Sequence, residues 1–462
     1  MSRTVLDLFC GAGGSSTGLT AAGLRVVMAA NHWPLAVDVH QDNHPTTDHD
    51  CVDISAVDPR RYPATDILWA SPECTNHSVA RGVRRATGQG VLFGDAPDPA
   101  AERSRATMWD VVRFTEAMLS RGRPYHVVIV ENVVDVARWL FWHPWLAAMS
   151  TAGYSHQTVY LNSAFAHGRD YAAAPQYRDR VYIVFWRTGL PTPNLDIRPP
   201  AWCPTCAARV NAVQTWKRPD IRWGRYRAQY TYRCPICRTA VTPFALPASS
   251  VIDWSDLGER IGDRPRPLAA ATRERIRVGL ARYGRPVMTP AGGTWNDHAR
   301  PVDEPMRAKT TRETEGIACP PTAEPFPAML RQHVHPTSVR EPLVAVAAAG
   351  THHGLVTAPN AILTAYYGNG GCTSVSAPIP TQPTRDRFGL VTRQPDAVSD
   401  NEVDACAFRM LTPSEVLAAM AFPATYRMRG TRRDRIRMAG NAVTPPAARL
   451  LAERLTTTLA AT

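Results

Sequence analysis

Short runs of apolar and β-branched residues alternate with amphipathic segments from residue 4 to about residue 188. The runs with strand character are "TVLDLF", "LRVVMAA", "DILWAS", "HVVIVEN", "HQTVYLN" and "RVYIVFW". Among them, "RATMWDVVRFTEAMLSRG" carries its apolar residues at helical spacing. This alternation predicts an α/β fold with a doubly wound, mainly parallel sheet and helices on both of its faces.

The pattern changes from residue 189 to about residue 405, where prolines are frequent and strand signals are short and irregular. Three similar segments start at Glu304, Glu341 and Ala377, and their prolines, Pro305, Pro342 and Pro378, lie 37 and 36 residues apart. Such a period favours one supersecondary unit used three times, in a second, irregular β-rich domain. A chance match between proline-bounded segments is the alternative.

Helical signals return in the last 57 residues, 406–462. "LTPSEVLAAMAF" has Thr412 three residues before Glu415, the spacing of a capping box, and "TPPAARLLAERLTTTL" predicts a second helix. We interpret the basic stretch "YRMRGTRRDRIRMAGN" as the link between the two helices.

Charge narrows the choice of partners. The 52 basic residues outnumber the 40 acidic ones, for a net charge of +12, and only Lys217 and Lys309 are lysine. A basic, arginine-rich surface suits phosphate-bearing partners such as nucleic acid, although codon usage can produce the same bias. The N-terminus has no signal-peptide pattern and no apolar run approaches a membrane span, so we expect a soluble cytoplasmic protein without a membrane partner.

Four of the ten cysteines form two pairs, "CPTC" and "CPIC", with 27 residues between them. Each two-residue gap lets neighbouring thiolates share one tetrahedral ion, so the pairs predict a structural Zn²⁺ ribbon at about residues 200–240. Its ligands are Cys203, Cys206, Cys234 and Cys237. Free thiols are the alternative.

Candidate catalytic and binding residues cluster where the predicted strands end. "LDLFCGAGGSSTGL" is a strand, a glycine-rich turn and a helix, an arrangement that brings backbone amides close to a ligand. Cys74 follows the strand "DILWA", and Glu131 ends the strand "HVVIVEN". Ligands of open α/β sheets bind at these strand ends.

The motifs "DLFCGAGG", "SPEC", "ENV", "QYRDR", "RMLTPSE" with its following "FP", and "GNAV" appear in this order. Together they resemble the motif series of the DNA (cytosine-5)-methyltransferases, as a divergent member of prokaryotic or phage type. The resemblance covers residues 4–188 and 405–462. It implies a methyltransferase-type sheet in a catalytic S-adenosylmethionine-binding domain at 1–188, completed by 406–462. A target-recognition domain containing the zinc ribbon is implied at 189–405.

The resemblance also implies catalytic roles. The Cys74 thiolate would add to carbon 6 of cytosine, Glu131 would contact ring nitrogen 3 and the exocyclic amine, and Arg178 and Arg180 would hold the base. Each residue has a plainer alternative: an inert buried cysteine, a helix-capping glutamate, and a pair of surface arginines.

The implied cofactor contacts surround S-adenosylmethionine. Phe9, Gly11, Ala12, Gly13 and Gly14 match the methionine side together with Asn441 and Val443. Trp33 matches the adenine face, Asp53 the adenine amine and His32 the ribose.

Several positions depart from the family pattern. His32 stands where a ribose-binding glutamate is usual, Pro34 stands where an aspartate often occurs, and Glu73 and Thr75 flank Cys74 in place of proline and glutamine. The segment "DYAAAPQ" is one residue longer than usual. Neutral histidine can still accept a hydrogen bond from a ribose hydroxyl.

The expected activity is methyl transfer from S-adenosylmethionine to carbon 5 of a cytosine flipped out of a specific double-stranded DNA sequence. A monomer, with a cognate restriction endonuclease among its partners, goes with that activity. A tRNA cytosine methyltransferase and a non-catalytic DNA-binding protein that retains the fold are the alternatives.

Overall fold

The structure is a computed structural model that describes residues 2–73, 99–246, most of 248–267, short strand segments between 287 and 410, and 412–460. Its centre is a seven-stranded sheet whose strands are β1 (Thr4–Leu8), β2 (Arg25–Asn31), β3 (Asp48–Cys51), β4 (Ile67–Ala70), β5 (Val127–Asn132), β6 (Tyr154–Asn162) and β7 (Asp179–Arg187). The order is β3-β2-β1-β4-β5-β7-β6. The first five strands in this order are parallel, and β7 is antiparallel to both of its neighbours.

Helices cover both faces of this sheet. They are α1 (Gly14–Ala21), α2 (Pro34–Asn43), α3 (Pro99–Ser120), α4 (Trp142–Thr151), α5 (Pro413–Ala419), α6 (Arg432–Asn441), α7 (Pro445–Arg454) and α8 (Thr456–Ala460). Met108 and Phe114 of α3 pack with Trp145 of α4 in one buried cluster, and Leu19 of α1 packs with Leu451 of α7 in another. The predicted fold class, a mainly parallel sheet between helices, is confirmed. Among the described helices, none is both long and apolar enough to cross a membrane.

Each of the six predicted strands and the amphipathic helix is present, but two features differ from the sequence interpretation. Strand β3, "DHDC", was not predicted because it is polar and lies at the sheet edge, where no apolar pattern is required. The basic stretch is not only a link, since it contains helix α6. Thr431 and Asp434 form a capping box at its start. Its buried Ile436 lies between arginines in the sequence, so the apolar face of the helix gives a weak pattern. The predicted capping box of Thr412 and Glu415 is confirmed.

The cysteine-rich segment forms five short strands, β8 (Pro200–Cys203), β9 (Ala208–Asn211), β10 (Val213–Trp216), β11 (Tyr230–Arg233) and β12 (Ala240–Val241). It packs directly on the edge of the central sheet. Gln214 donates a hydrogen bond to the Tyr160 carbonyl at 2.9 Å, and the ring of Trp216 lies edge-on against that of Tyr160. The segment therefore packs as an extension of the central sheet.

The predicted β-rich character continues beyond residue 258. The strands described there are β13 (Glu259–Arg260), β14 (Val287–Pro290), β15 (Arg300–Pro301), β16 (Glu315–Ala318), β17 (Ala328–Leu330), β18 (His353–Val356), β19 (Ala361–Ala365), β20 (Gly370–Gly371), β21 (Phe388–Arg393) and β22 (Cys406–Met410). The three predicted repeats end in β16, β18 and β21, of which β18 and β21 pair in parallel. Most of each repeat lies outside the described residues.

The C-terminal helices pack tightly on the start of the chain. A Cβ atom on Gly14 would lie 2.0 Å from the Val443 carbonyl oxygen, and one on Gly18 would lie 2.3 Å from that of Pro445. Any side chain at these positions would collide with backbone, so glycine lets α1 and α7 approach closely. This contact joins the segment after residue 412 to the first strand and its glycine-rich turn.

Candidate active site

One cavity lies at the carboxyl ends of β1, β2, β4 and β5, and most of the predicted site residues line it. From the predicted set these are Phe9, Gly11, Ala12, His32, Trp33, Glu131, Arg178, Arg180 and Asn441. The sequence interpretation had not assigned a role to others that line it, including Asn31, Ser71, Pro72, Arg437 and Met438. Residues from four strands and from the C-terminal segment thus meet around one space.

The glycine-rich turn after β1 is held in an unusual backbone conformation. Phe9 has a φ of 58°, which is rare for a residue with a side chain, and Gly11 and Gly13 have φ values of 54° and 92°. A Cβ atom on Gly11 would meet no atom within 4 Å, so the backbone there borders open space. Strained backbone of this kind is often found at binding sites, and here it exposes the turn to the cavity.

Asp7 of β1 holds the glycine-rich turn through hydrogen bonds with the start of α1. The Ser15 and Ser16 hydroxyls each donate a hydrogen bond of 2.6 Å to its carboxylate. Burial raises the pKa of Asp7 to about 6, although the serine hydroxyls oppose the shift. The fully buried carboxyl therefore ties the start of α1 to strand β1.

Aromatic and imidazole groups support the other side of the turn. His40 lies 2.9 Å from the Ser16 hydroxyl, and His44 lies 3.1 Å from the Thr17 hydroxyl. Tyr426 donates a hydrogen bond to the Ala12 carbonyl. Burial lowers the pKa of His44 to about 4, so this histidine is neutral near pH 7. A residue from the C-terminal segment therefore helps to fix the turn.

Glu131 and Arg180 form an ion pair within the cavity. Arg180 Nε lies 3.0 Å from Glu131 Oε1, and the two side chains are 12% and 10% exposed. Burial raises the pKa of Glu131, while the charges of Arg180 and Arg178 oppose that shift. Because Glu131 belongs to strand β5, the helix-capping alternative is wrong.

Arg178 is buried, with 2% of its surface exposed, so the surface-pair alternative is wrong for this residue. Its guanidinium donates hydrogen bonds to the carbonyls of Gly440 and Ala442, at 3.2 and 2.9 Å. Arg178 thus connects the "QYRDR" motif to the "GNAV" motif, which lies more than 260 residues later.

The side of the cavity that is formed by Trp33 and Arg437 is aromatic and cationic. The Arg437 guanidinium carbon lies 4.4 Å from the centroid of the Trp33 ring. Trp33 starts helix α2, and its backbone amide donates to the Asn31 side chain at 2.9 Å. An indole face, the open backbone at Gly11 and the polar Asn441 fit a ligand with an adenine ring and an amino-acid tail.

Arg437 was missed by the sequence interpretation. It lies in a stretch where arginine occurs at six of sixteen positions, so nothing in the sequence distinguishes it from its neighbours.

Four predicted cofactor residues do not line the cavity. Gly13 lies against Tyr426 and His40, and Gly14 packs against Val443. Asp53 caps a short 3₁₀ helix by accepting a hydrogen bond from the Ser55 amide at 3.1 Å. Their direct contact with a cofactor stays a prediction. Cys74 lies outside the described residues, and the chain is described up to Glu73 at the cavity edge.

The four predicted metal ligands come together. The sulfur atoms of Cys203, Cys206, Cys234 and Cys237 all lie within 4.8 Å of one another. Two of the sulfur–sulfur distances, Cys203 to Cys237 and Cys206 to Cys234, are 3.4 and 3.9 Å. Thiolates about 2.3 Å from a tetrahedral ion are separated by roughly 3.8 Å, so the set fits a Zn²⁺ ion.

The cysteine-rich segment 200–241, called the ribbon below, contacts residues that are close in sequence to the cavity residues Glu131, Arg178 and Arg180. The Tyr226 amide and the Tyr230 hydroxyl lie 3.1 and 3.3 Å from the carboxylate of Asp179, which stands between the two cavity arginines. Arg225 forms an ion pair with Asp135, just after β5. The Trp223 indole donates to the Val134 carbonyl at 2.9 Å.

A mainly parallel sheet with a glycine-rich turn after β1 and a ligand cavity at the strand ends defines an α/β protein of the nucleotide-binding type. The profile of the C-5 cytosine-specific DNA methylases matches residues 3–202 and 357–457 of this chain. The chain belongs to that family, as a divergent member.

Curated relatives match part of the chain. Type II methyltransferase M.HgiBI of Herpetosiphon aurantiacus is 31% identical over 182 residues, which are 39% of this chain and 36% of the relative. Type II methyltransferase M.HgiDI of the same organism is 28% identical over 188 residues, 40% of this chain and 52% of the relative. The matched part thus spans from about a third to half of each relative.

Solved structures align along almost the whole chain at low similarity. Spodoptera frugiperda DNMT2 gives a TM-score of 0.48 at 14% identity, with 98% of this chain and 100% of the other covered. A putative DNA modification methyltransferase from an E. coli prophage gives 0.46 at 14%, with 99% and 100% covered. These values are too low to support any inference about substrate.

Proposed function

We propose that this protein transfers a methyl group from S-adenosylmethionine to carbon 5 of cytosine in double-stranded DNA. One observation carries the proposal: the cavity joins an acid–arginine group, Glu131 with Arg178 and Arg180, to an aromatic, glycine-lined side that includes Gly11 and Trp33. The first group suits a pyrimidine edge, and the second suits an adenosyl donor.

The proposed nucleophile is Cys74, which follows Glu73 at the cavity edge. Carbon 5 of cytosine is a weak nucleophile by itself. When the Cys74 thiolate bonds to carbon 6, electron density moves to carbon 5, which can then bond to the methyl carbon of the donor. The electron pair of the broken sulfur–methyl bond would remain on the donor's sulfur. A base removes the proton from carbon 5, and breaking of the bond to sulfur restores the ring and the thiolate.

Glu131 assists addition by hydrogen bonding to ring nitrogen 3. A protonated carboxyl donates there and draws electron density away from carbon 6. Its burial, which raises its pKa, favours the protonated form. Arg180, 3.0 Å away, is positioned to take a second contact with the base carbonyl while it orients Glu131.

On the donor side, the residues bind and orient S-adenosylmethionine. When bound, that group supplies an activated methyl on a sulfonium sulfur. Trp33 offers an aromatic face to the adenine, and the exposed turn at Gly11 offers backbone groups to the methionine part. Asn441, held near Arg178 by the Gly440 contact, offers an amide side chain.

We also propose that the four-cysteine cluster binds a structural Zn²⁺ ion and that residues 189–405 read the DNA sequence. Four thiolates close the coordination sphere, which suits a structural site. The ribbon loop presents Lys217, Arg218 and Arg222 at the surface, where they can meet phosphates. We further propose a role beside a cognate restriction endonuclease, for which the type II label of the curated relatives is the support. The protein is proposed to act as a monomer in a bacterial cytoplasm.

The test is methyl incorporation into duplex DNA by the native protein, by Cys74→Ser and by Cys51→Ser, which alters an exposed cysteine on β3. We expect loss of turnover in Cys74→Ser alone. DNA carrying 5-fluorocytosine should trap the native protein and Cys51→Ser covalently but not Cys74→Ser, since fluorine cannot leave as a proton does.

Equal incorporation by all three proteins contradicts the assignment of the thiol. Labelled tRNA in parallel reactions distinguishes the RNA-modifying alternative. Absence of S-adenosylmethionine binding would favour the non-catalytic alternative.

A further inference from the structure

Two of the positions that depart from the family pattern, His32 and Glu73, meet in the fold. His32 follows β2 and Glu73 follows β4, the two strands that flank β1. Their side chains reach across the end of β1, where the glycine-rich turn begins. His32 Nδ1 lies 3.5 Å from Glu73 Oε1, and both residues line the cavity.

The position of His32 has a known chemical task in folds of this kind. An acidic residue about 20 residues after a glycine-rich turn, at the end of the second strand, accepts hydrogen bonds from a ribose. His32 stands 19 residues after Gly13. A neutral imidazole has one acceptor nitrogen, whereas a carboxylate can accept from both hydroxyls of a diol. The histidine alone is therefore a poor substitute.

We propose that Glu73 is the carboxylate that accepts the ribose hydroxyls of S-adenosylmethionine in this protein, and that His32 positions it. The ribose acceptor has moved from the end of β2 to the end of β4 on the same side of the cavity. This inference rests on the proposed function. It extends that function by assigning a cofactor contact to a residue for which the sequence pattern suggested none.

Three features support the assignment. Glu73 Oε1 points to the β2 side of the cavity, which is also the side of Trp33. Its side chain is 38% exposed, so a ligand can reach it. A carboxylate next in sequence to a nucleophilic thiol also opposes thiolate formation, and hydrogen bonds from His32 and a ribose would offset its negative charge.

The test is calorimetric binding of S-adenosylhomocysteine, which is not turned over, without DNA. With the native protein, the 2′-deoxyribose analogue should bind about 10- to 100-fold more weakly than the parent ligand, the range for a hydrogen bond to a charged group. Glu73→Gln should weaken binding of the parent ligand by a similar factor. It should also remove most of the discrimination between the two ligands.

A relocated carboxylate provides the rescue. The double variant His32→Glu with Glu73→Gln returns the acid to β2 and should recover affinity to within several-fold of the native protein. Asp38→Asn, an exposed change on the outer face of α2, is the matched control and should leave both affinities unchanged. Thermal melting of each variant checks that it folds.

Two results overturn the inference alone: unchanged discrimination in Glu73→Gln, or equal binding of both ligands by the native protein. Failure of the proposed function looks different, since the native protein would then neither bind S-adenosylhomocysteine nor methylate DNA.

Discussion

At the scale of single residues, Glu131 must satisfy two opposing demands. Its ion pair with Arg180 favours the charged carboxylate, whereas burial favours the protonated acid. In the proposed mechanism, base activation needs the proton. Glu131 would then donate to a cytosine ring while Arg180 continues to orient it, provided that the carboxyl is protonated when the thiol is ionised.

We predict that Glu131→Gln lowers the single-turnover methylation rate by about 10²- to 10³-fold, since glutamine occupies the same space but cannot protonate ring nitrogen 3. Native activity requires a protonated carboxyl together with a thiolate, so its rate should rise and then fall with pH. The variant requires only the thiolate, so its rate should rise to a plateau. Rates measured across the pH range test this.

Glu116→Gln on the exposed face of α3 is the control and should keep the native profile. A falling limb at high pH that survives in Glu131→Gln would contradict the role of the carboxyl.

The raised pKa of Glu131 has a second effect, on the stability of the fold. A raised acid pKa contributes stability below its unfolded value, and that contribution is lost as pH rises through the folded value.

At the scale of elements, the cysteine-rich ribbon is joined to the active site. Tyr226 and Tyr230 hold Asp179, and Arg225 holds Asp135, immediately beside the strands that carry Arg180 and Glu131. A ribbon that only bound DNA would not need these contacts. We infer that its folding also positions Arg180, the arginine proposed to contact the base.

We predict that Cys206→Ser removes the metal, lowers the melting temperature by about 5–10 °C and reduces turnover at saturating DNA by at least about tenfold. The reason is that five short strands without their ion cannot hold the sheet edge. Elemental analysis should find one zinc per native chain. Cys51→Ser, away from the cluster, should keep the metal and the rate.

A variant that loses zinc but keeps its turnover number, with only weaker DNA binding, would limit the ribbon to recognition. No zinc in the native protein would remove the metal site altogether.

At the scale of the whole molecule, the excess of arginine bears on the proposed binding of DNA. The net charge of +12 is spread over a chain with 50 arginines among its 52 basic residues. On the ribbon, Arg218 and Arg222 are exposed in the loop between β10 and β11. On the opposite side, Arg25 and Arg123 lie at or before the amino ends of β2 and β5, away from the cavity.

We predict that the dissociation constant for duplex DNA rises on the order of 10³-fold between 50 and 200 mM salt, as for about six phosphate contacts. The double change Arg218→Ala with Arg222→Ala should reduce the salt slope by about 2. Arg25→Ala with Arg123→Ala carries the same charge change on the far side and should leave the slope unchanged. Fluorescence anisotropy titrations at several salt concentrations measure both.

If the two double variants behave alike, net charge rather than the ribbon surface accounts for binding. If tRNA competes as well as duplex DNA at equal salt, the DNA assignment is contradicted.

Much of the fold was readable along the chain. The six predicted strands, helix α3 and the Thr412 capping box are present because apolar periodicity and capping are local patterns. The cysteine pairs predicted their cluster for the same reason, because the two cysteines of each pair are separated by only two residues, a spacing typical of metal ligands. The site motifs were visible because each is a short contiguous segment.

Only the tertiary structure decided which of these segments meet. The contact of His32 with Glu73, the position of Arg437 over Trp33 and the bonds from Arg178 to Gly440 and Ala442 join residues that are far apart in sequence. No local pattern encodes such contacts, because they depend on strand order and on how closely α1 and α7 pack. The amino-acid sequence by itself determined most strands of the central sheet, the glycine-rich turn and the candidate site motifs, because these are local patterns. Packing determined which of their side chains meet around the cavity.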